Sequence, residues 1–187
     1  TAYYLNNVKA TLNGEDLKDA NIEYKVGDGE WTKEAPSATN VSDSLKNNIS
    51  VRVSLEGYQT VTINDLSIEV TPKAVTVKAN DASKMYGEND PKFTATVTGT
   101  LNEDKIEYKV TRPGAGTDEA VKTYEDAIIA AGDKEQGNYT VTYEPGDFTI
   151  NTNTTALALT AESGGGEYKG TAYYLNNVKA TLNGEDL

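Results

Sequence analysis

Seventeen residues, TAYYLNNVKATLNGEDL, occur twice in this chain, from Thr1 to Leu17 and again without a change from Thr171 to Leu187. An unaltered recurrence at a spacing of 170 residues is what a tandem array looks like when a window slightly longer than one repeat is taken from it. The repeat therefore predicts a sample of a longer chain whose folded units tile end to end. Such a segment reports what the repeat does and says little about any binding or catalytic head elsewhere.

Within the repeat the apolar residues fall at period two, the spacing of a half-buried strand. Ile49, Val51, Val53 and Leu55 alternate with Ser50, Arg52, Ser54 and Glu56. The same pattern marks Ile22 to Val26, Leu66 to Val70, Val75 to Ala79, Phe93 to Val97, Ile106 to Val110, Tyr139 to Tyr143 and Leu157 to Leu159. Turn residues separate these runs: Asn13-Gly14, Gly27-Asp28-Gly29, Glu56-Gly57, Pro113-Gly114, Pro145-Gly146 and Gly164 to Gly166. Only Glu125 to Ala131 has a helical look, a turn or two at most. The expected class is all-β, built of tandem Ig-like or β-sandwich-type modules.

One alternating run ends near Thr71-Pro72-Lys73, and a polar Asn/Thr stretch near Asn151 to Thr155 has the character of a short linker. The expected organisation is a first domain at residues 1–72 lacking its opening strand, a complete domain at 73–151, and the start of the next copy of the first domain at 152–187. The two domain types show kinship: AVTVKANDASKMYG aligns with ALALTAESGGGEYKG, and KIEYKV at Lys105 to Val110 with NIEYKV at Asn21 to Val26. Half of 170 is 85 residues, close to one sandwich module.

Charge and composition remove whole classes of function. Against 29 Asp plus Glu there are 17 Lys plus Arg, a net charge of -12, which repels nucleic acid and anionic membranes. The chain has no Cys and no His, so disulfides, Cys/His zinc sites and His-dependent triads are absent. No stretch approaches the roughly 18 consecutive apolar residues that read as a membrane span.

The remaining constellations read as architecture. Glu15-Asp16, Glu103-Asp104 and Glu125-Asp126 look like solvated faces of an acidic protein, without the defined separation and desolvation a glycosidase pair needs. Calcium is the ion that Glu88-Asn89-Asp90, or Asp28 with Glu30, would suit, but neither follows EF-hand or nonapeptide spacing, and turn residues bonding their own backbone are the favoured reading. Gly164-Gly165-Gly166 precedes a Tyr-rich strand rather than a helix, so it reads as a hairpin turn and not a phosphate cradle. Among the aromatics, Tyr24, Tyr108, Tyr139 and Tyr143 share strand faces with Ile and Val and are expected to pack, which leaves Tyr3, Tyr4 and Trp31 as candidate surface rings for stacking on sugars. Asn40, Asn48, Asn138 and Asn153 each open an N-glycosylation pattern of the sort that arises by chance in a Thr- and Asn-rich chain.

The central domain, with AVTVKANDASKMYGENDPKFTATVTGTL near its start and GNYTVTYEPGDFTI at its end, resembles the MBG domains of YGX type that occur in tandem in large bacterial surface proteins. The defining Tyr-Gly is Tyr86-Gly87, followed by Asp90-Pro91; the stretch from Lys105 through Arg112 to Glu119 departs from the usual middle of the pattern. The other domain, with EYKGTAYYL, NIEYKVGDGEWTKEAPSATNV and ISVRVSLEGYQTVT, is similar to the Ig-like repeats that often precede such domains in adhesins of Gram-positive, especially gut-associated, bacteria. The resemblance implies a secreted, wall-associated stalk with no enzymatic activity and no cofactor, and a β-grasp-like fold is the alternative for the YGX module.

The expected function is thus a structural spacer in a bacterial surface adhesin or extracellular filament; the alternative is an adhesive module for a host glycan or matrix protein. Expected partners are neighbouring repeats of the same chain or head-to-tail copies. Strand donation between copies is disfavoured, because the donor would bring a second TAYYLNNVKATLNGEDL into a domain with room for one. Lys-to-Asn or Lys-to-Asp isopeptide bonds, carried by some surface modules of this kind, would need a buried lysine, and none is identifiable from the sequence.

Overall fold

A computed structural model describes residues 1–116 and 119–187. Its N-terminal part is built from β1 (Tyr3–Tyr4), β2 (Thr11–Leu12), β3 (Glu15–Asp16), β4 (Asn21–Val26), β5 (Ser37–Ala38), β6 (Leu45–Ser54) and β7 (Val61–Ile68), with a 3-10 turn at Val41–Asp43. Strands β4, β6 and β7 form one antiparallel sheet in that order, while β1 pairs with β5 and β2 with β3. Alternation along β6 turns Ile49 and Val51 inward, where they meet Ala38 and Ile68, with Leu5 and Val8 packed against the same cluster. The β2–β3 hairpin closes on Asn13 and Gly14, both at positive φ, the geometry that matches the right-handed strand twist.

The central module, residues 73–151, comprises β8 (Lys73–Ala79), β9 (Ala82–Met85), β10 (Ala95–Thr98), β11 (Lys109–Thr111), β12 (Thr123–Ala131), β13 (Glu135–Gln136), β14 (Tyr139–Glu144) and β15 (Gly146–Asn151). They make two four-stranded sheets, β10-β8-β14-β13 and β11-β12-β15-β9. The core lies between them: Val75, Val77, Tyr139 and Val141 come from the first sheet and Ile128, Ala130, Phe148 and Ile150 from the second. With no helix among its described residues, this module is a two-sheet sandwich and not the β-grasp alternative.

Its first and last strands are the organising pair. β8 and β14 are parallel, as are β9 and β15, and Tyr139 lies opposite Lys73 just as Asn151 lies opposite Met85, so partners stand 66 residues apart along the whole length. A single residue, Pro145, separates β14 from β15, too little chain for a reversal, so each half runs on from one sheet to the other as a bent ribbon. Backbone hydrogen bonds close the ladder at both ends, from Lys73 N to Asn138 O (2.8 Å) and from Tyr86 N to Asn151 O (2.9 Å). The chain comes in at Lys73 and leaves at Asn151, at opposite ends of that ladder.

The helical look of Glu125 to Ala131 is corrected: these residues belong to strand β12. A bulge between Tyr124 and Ile128, with Asp126 at φ 51°, breaks the alternation and disguises the strand. Beyond Asn151, β16 (Leu157–Glu162), β17 (Asn176–Leu182) and β18 (Glu185–Asp186) form a three-stranded antiparallel sheet in the order β16-β17-β18. Gly164 to Gly166 lie in the long connection between β16 and β17, not in a tight hairpin turn.

Candidate functional site

Two cations fall in step with the apolar alternation of the central module. Lys84 follows Ala82 on the inward side of β9, and Arg112 follows Ile106, Tyr108 and Val110 at the same period. Both are buried, with 2 % of each side chain exposed. A buried charge is tolerated only when it is paired and hydrogen-bonded, and here two carboxylates meet that need. Arg112 donates from Nε and Nη2 to the two oxygens of Asp90 (2.8 and 2.7 Å), and from Nη1 and Nη2 to the two oxygens of Glu119 (2.5 and 2.7 Å). Lys84 Nζ lies 2.9 Å from Asp90 Oδ1 and 3.3 Å from Glu119 Oε2, and it donates to the Gly116 carbonyl at 2.5 Å. The four charges sum to zero.

The YGX motif positions this cluster. Gly87, at φ +85°, lets the chain turn directly after β9, with Glu88 N bonded to Met85 O at 3.1 Å. The turn returns Asp90 to the side of Lys84, two strand positions back from Tyr86, and Pro91 follows. Beneath the cluster, Phe148 is fully buried, with the Arg112 guanidinium carbon 4.0 Å from its ring centroid and the edge of Phe93 against it at 5.8 Å. The result is a layered stack of aromatic, guanidinium and carboxylates.

Protonation follows from these contacts. The Arg112 hydrogen bonds pull Glu119 down to about 2 against the burial that would raise it, and lower Asp90 in the same way. The hydrogen bonds that Arg112 donates to Glu119 and Asp90 raise its own pKa. Burial acts to lower Lys84, but its hydrogen bonds to Asp90 and Glu119 outweigh that and leave it raised. All four groups are held charged. Lys84 is thus the buried lysine that could not be identified from the sequence, yet its condensation with a carboxyl needs a neutral amine and a protonated acid, the opposite of what this arrangement stabilises.

The other sequence candidates are scattered. Tyr86 is partly exposed beside the joint to β16, its carbonyl accepting from Asn153 Nδ2 at 3.0 Å. Tyr3 and Tyr4 are exposed neighbours in β1, so their rings leave on opposite faces. Trp31 is covered by Arg52, whose guanidinium carbon is 4.4 Å from the ring centroid, with Lys25 Nζ at 5.4 Å. The three rings do not form one platform. Of the acidic pairs, Asp104 accepts a 2.5 Å hydrogen bond from the buried Tyr139 hydroxyl, which raises that phenol's pKa, and Asp16 faces Lys9 at 3.6 Å. The calcium candidate at Glu88-Asn89-Asp90 has its main carboxylate committed to Arg112 and Lys84, and no acidic group of metal-binding geometry occurs among the described residues. Asn138, marked by a glycosylation pattern, instead bonds with both side-chain ends to the N-terminal part: Val41 N donates to its Oδ1 (2.8 Å) and its Nδ2 donates to Asn40 Oδ1 (2.9 Å).

The fold and its motif define a two-sheet all-β module with parallel terminal strands and a neutral ion cluster at its YGX turn. Residues 75–149 match the family model for the MBG domain (YGX type), a span that lies inside this module. Comparisons with curated proteins and with solved structures gave no match.

Proposed function

We propose that this chain is a non-enzymatic spacer from a long bacterial surface adhesin or extracellular filament, extracellular and attached to the wall of a Gram-positive cell. One observation carries the reading: the strands through which the central module is strung, residues 73–85 and 139–151, are parallel neighbours with the chain arriving at one end and departing at the other. Tension along such a chain loads the whole ladder in shear, so its hydrogen bonds must fail together rather than one at a time. The MBG match, the 170-residue repeat and the paired joints at Asn138 and Asn153 fit modules strung in series, with the flanking domain taken as an Ig-like repeat. A net charge of -12 keeps adjacent stalks apart. The adhesive reading has less support, because Tyr3 and Tyr4 point to opposite faces and Trp31 already carries Arg52.

The test is single-molecule pulling through introduced cysteines, which the Cys-free chain permits. Handles at Lys73→Cys and Asn151→Cys load the ladder in shear, and handles at Lys73→Cys and Thr140→Cys open it from one end. A rupture force several-fold higher in the first geometry is expected. Equal forces would remove the mechanical basis of the proposal.

A further inference from the structure

A sandwich of two open sheets has four edges, and an edge strand left bare is a template for another strand. In the central module all four edges are built from residues 73–151, and three of them are closed. On β9, Met85 donates its outward amide to Glu88 Oε2 (3.1 Å) and accepts at its carbonyl from Glu88 N (3.1 Å). On the opposite flank the Gln136 side chain stands in for a strand. Its Oε1 accepts from Glu107 N (2.8 Å) and its Nε2 donates to Glu107 O (2.9 Å), which ties the edge that carries β13 to the edge that carries β11. The fourth edge, β10, has no such cover among the described residues.

The pairing of β10 fixes which groups it offers. Asn80 N donates to Thr94 O (2.9 Å), so Thr94, Thr96 and Thr98 turn their backbone groups toward β8, and Ala95 and Val97 turn theirs away from it. The side chains divide by face: Ala95 and Val97 pack against the core, and the three threonines are exposed. Asn80 spans two of these threonines, its Nδ2 donating to Thr94 Oγ1 (2.9 Å) and its Oδ1 accepting from Thr96 Oγ1 (2.8 Å), which holds the row in line. The devices that blunt an edge are missing. From Phe93 to Asn102 there is no charged residue and no proline, in a chain of net charge -12. No bulge interrupts the register from Ala95 opposite Ala79 to Thr98 opposite Thr76.

We propose that β10 pairs edge to edge with β10 of a second copy of this chain. The occupant follows from Thr94-Ala95-Thr96-Val97-Thr98, whose pattern of threonine and small apolar residues is the same read in either direction. With Thr96 facing Thr96 across a two-fold axis, the strands run antiparallel, Ala95 of each copy exchanges its free N–H and C=O with Val97 of the other, and Thr94 faces Thr98. Every exposed threonine then meets a threonine, a favourable cross-strand pair, and no charge faces a like charge. The Thr94 hydroxyl, which accepts from Asn80, keeps its own proton for Thr98. The contact merges two four-stranded sheets into one. It joins chains that run in opposite directions, and leaves parallel neighbours to the repulsion of their net charge. It does not depend on the mechanical reading above and can fail without it.

Disulfide trapping in the Cys-free chain tests this residue by residue. Opposed residues at a non-hydrogen-bonded antiparallel position stand about 4.5 Å apart between Cα atoms, within disulfide range. Thr96→Cys chains should therefore dimerise under mild oxidation at least tenfold faster than Thr142→Cys chains, whose cysteine is exposed on β14, two strands in from the edge. A mixture of Thr94→Cys and Thr98→Cys chains should cross-link between the two variants and not within either, which fixes the register. Adding Ala95→Pro to Thr96→Cys removes an outward N–H without touching the β8 ladder, and should lower the rate at least tenfold while circular dichroism stays unchanged. If Thr96→Cys dimerises no faster than Thr142→Cys, or if Thr94→Cys and Thr98→Cys each cross-link to themselves as fast as to each other, the inference is overturned.

Discussion

Asn138 Oδ1 accepts a 2.8 Å hydrogen bond from the Val41 amide, 97 residues away along the chain. Its Nδ2 meets Asn40, and its own carbonyl receives Lys73 N, the first amide of β8. One residue thus pins the 3-10 turn of the N-terminal part to the opening of the central sandwich. Asn138→Ala should cost about 1 kcal/mol for the bonds lost while broadening the angle between the two parts, seen as a wider distance distribution in small-angle scattering. Unchanged scattering would show that the joint is held by something else.

The ion cluster makes an asymmetric prediction. Asp90→Ala leaves the Arg112 and Lys84 charges short of a partner and should destabilise the central module by about 3 kcal/mol in urea unfolding, the usual effect of breaking a buried pair. Replacing Lys84, Asp90, Arg112 and Glu119 together with apolar residues of similar volume should recover most of that loss. A cluster kept for packing and register permits the second result.

Acid should weaken the module in a defined window. The folded state holds Glu119 down at about 2, against 4.5 when unperturbed, and Asp90 is lowered as well. Groups with depressed pKa stabilise the fold fully above their unfolded values and lose that contribution as pH falls through the folded ones. The stability difference between the parent chain and Glu119→Gln should be flat from neutral pH to about 4.5 and shrink from there toward about 2. A difference that instead vanished above neutrality would reverse the assignment of charge.

Intact mass spectrometry reads the Lys84 chemistry directly. An ammonium flanked by two carboxylates should leave the chain at its sequence mass of 20.1 kDa, with no loss of water. Mass lower by one water, mapped to a peptide joining Lys84 to Asp90 or Glu119, would show that the amine attacks despite its protonation.

Period two exposed most of the central module to inspection, because its strands bury one face each and Val75, Val77, Tyr139 and Val141 sit where the pattern puts them. Glu88-Asn89-Asp90 was legible as a turn, but its purpose was not, since Asp90 meets Arg112 22 residues on and Lys84 from the preceding strand. A signal was present: Lys84 and Arg112 continue apolar alternation in phase, and a cation at a core position demands a carboxylate. Glu125 to Ala131 misled because the bulge sets three residues of β12 against the single Asp147 and leaves Asp126 exposed at a position that alternation would turn inward. The parallel pairing of the first strand with the last was invisible for a simpler reason, as alternation reports which face a strand buries and not which strand lies beside it.

That pairing sets the order in which a module can be finished. Residues 73–85 have their partners 66 positions downstream, so the strand made first waits for the strand made last. At roughly 5–20 residues per second the interval is about 3–13 s during synthesis, with Val75 and Val77 lacking their β14 neighbours Val141 and Tyr143 until then. Closing so long a loop before any reward is the slow kind of β assembly. Completion of the central module is thus decided by its final thirteen residues, and a chain halted before Asn151 would hold a sandwich that cannot shut.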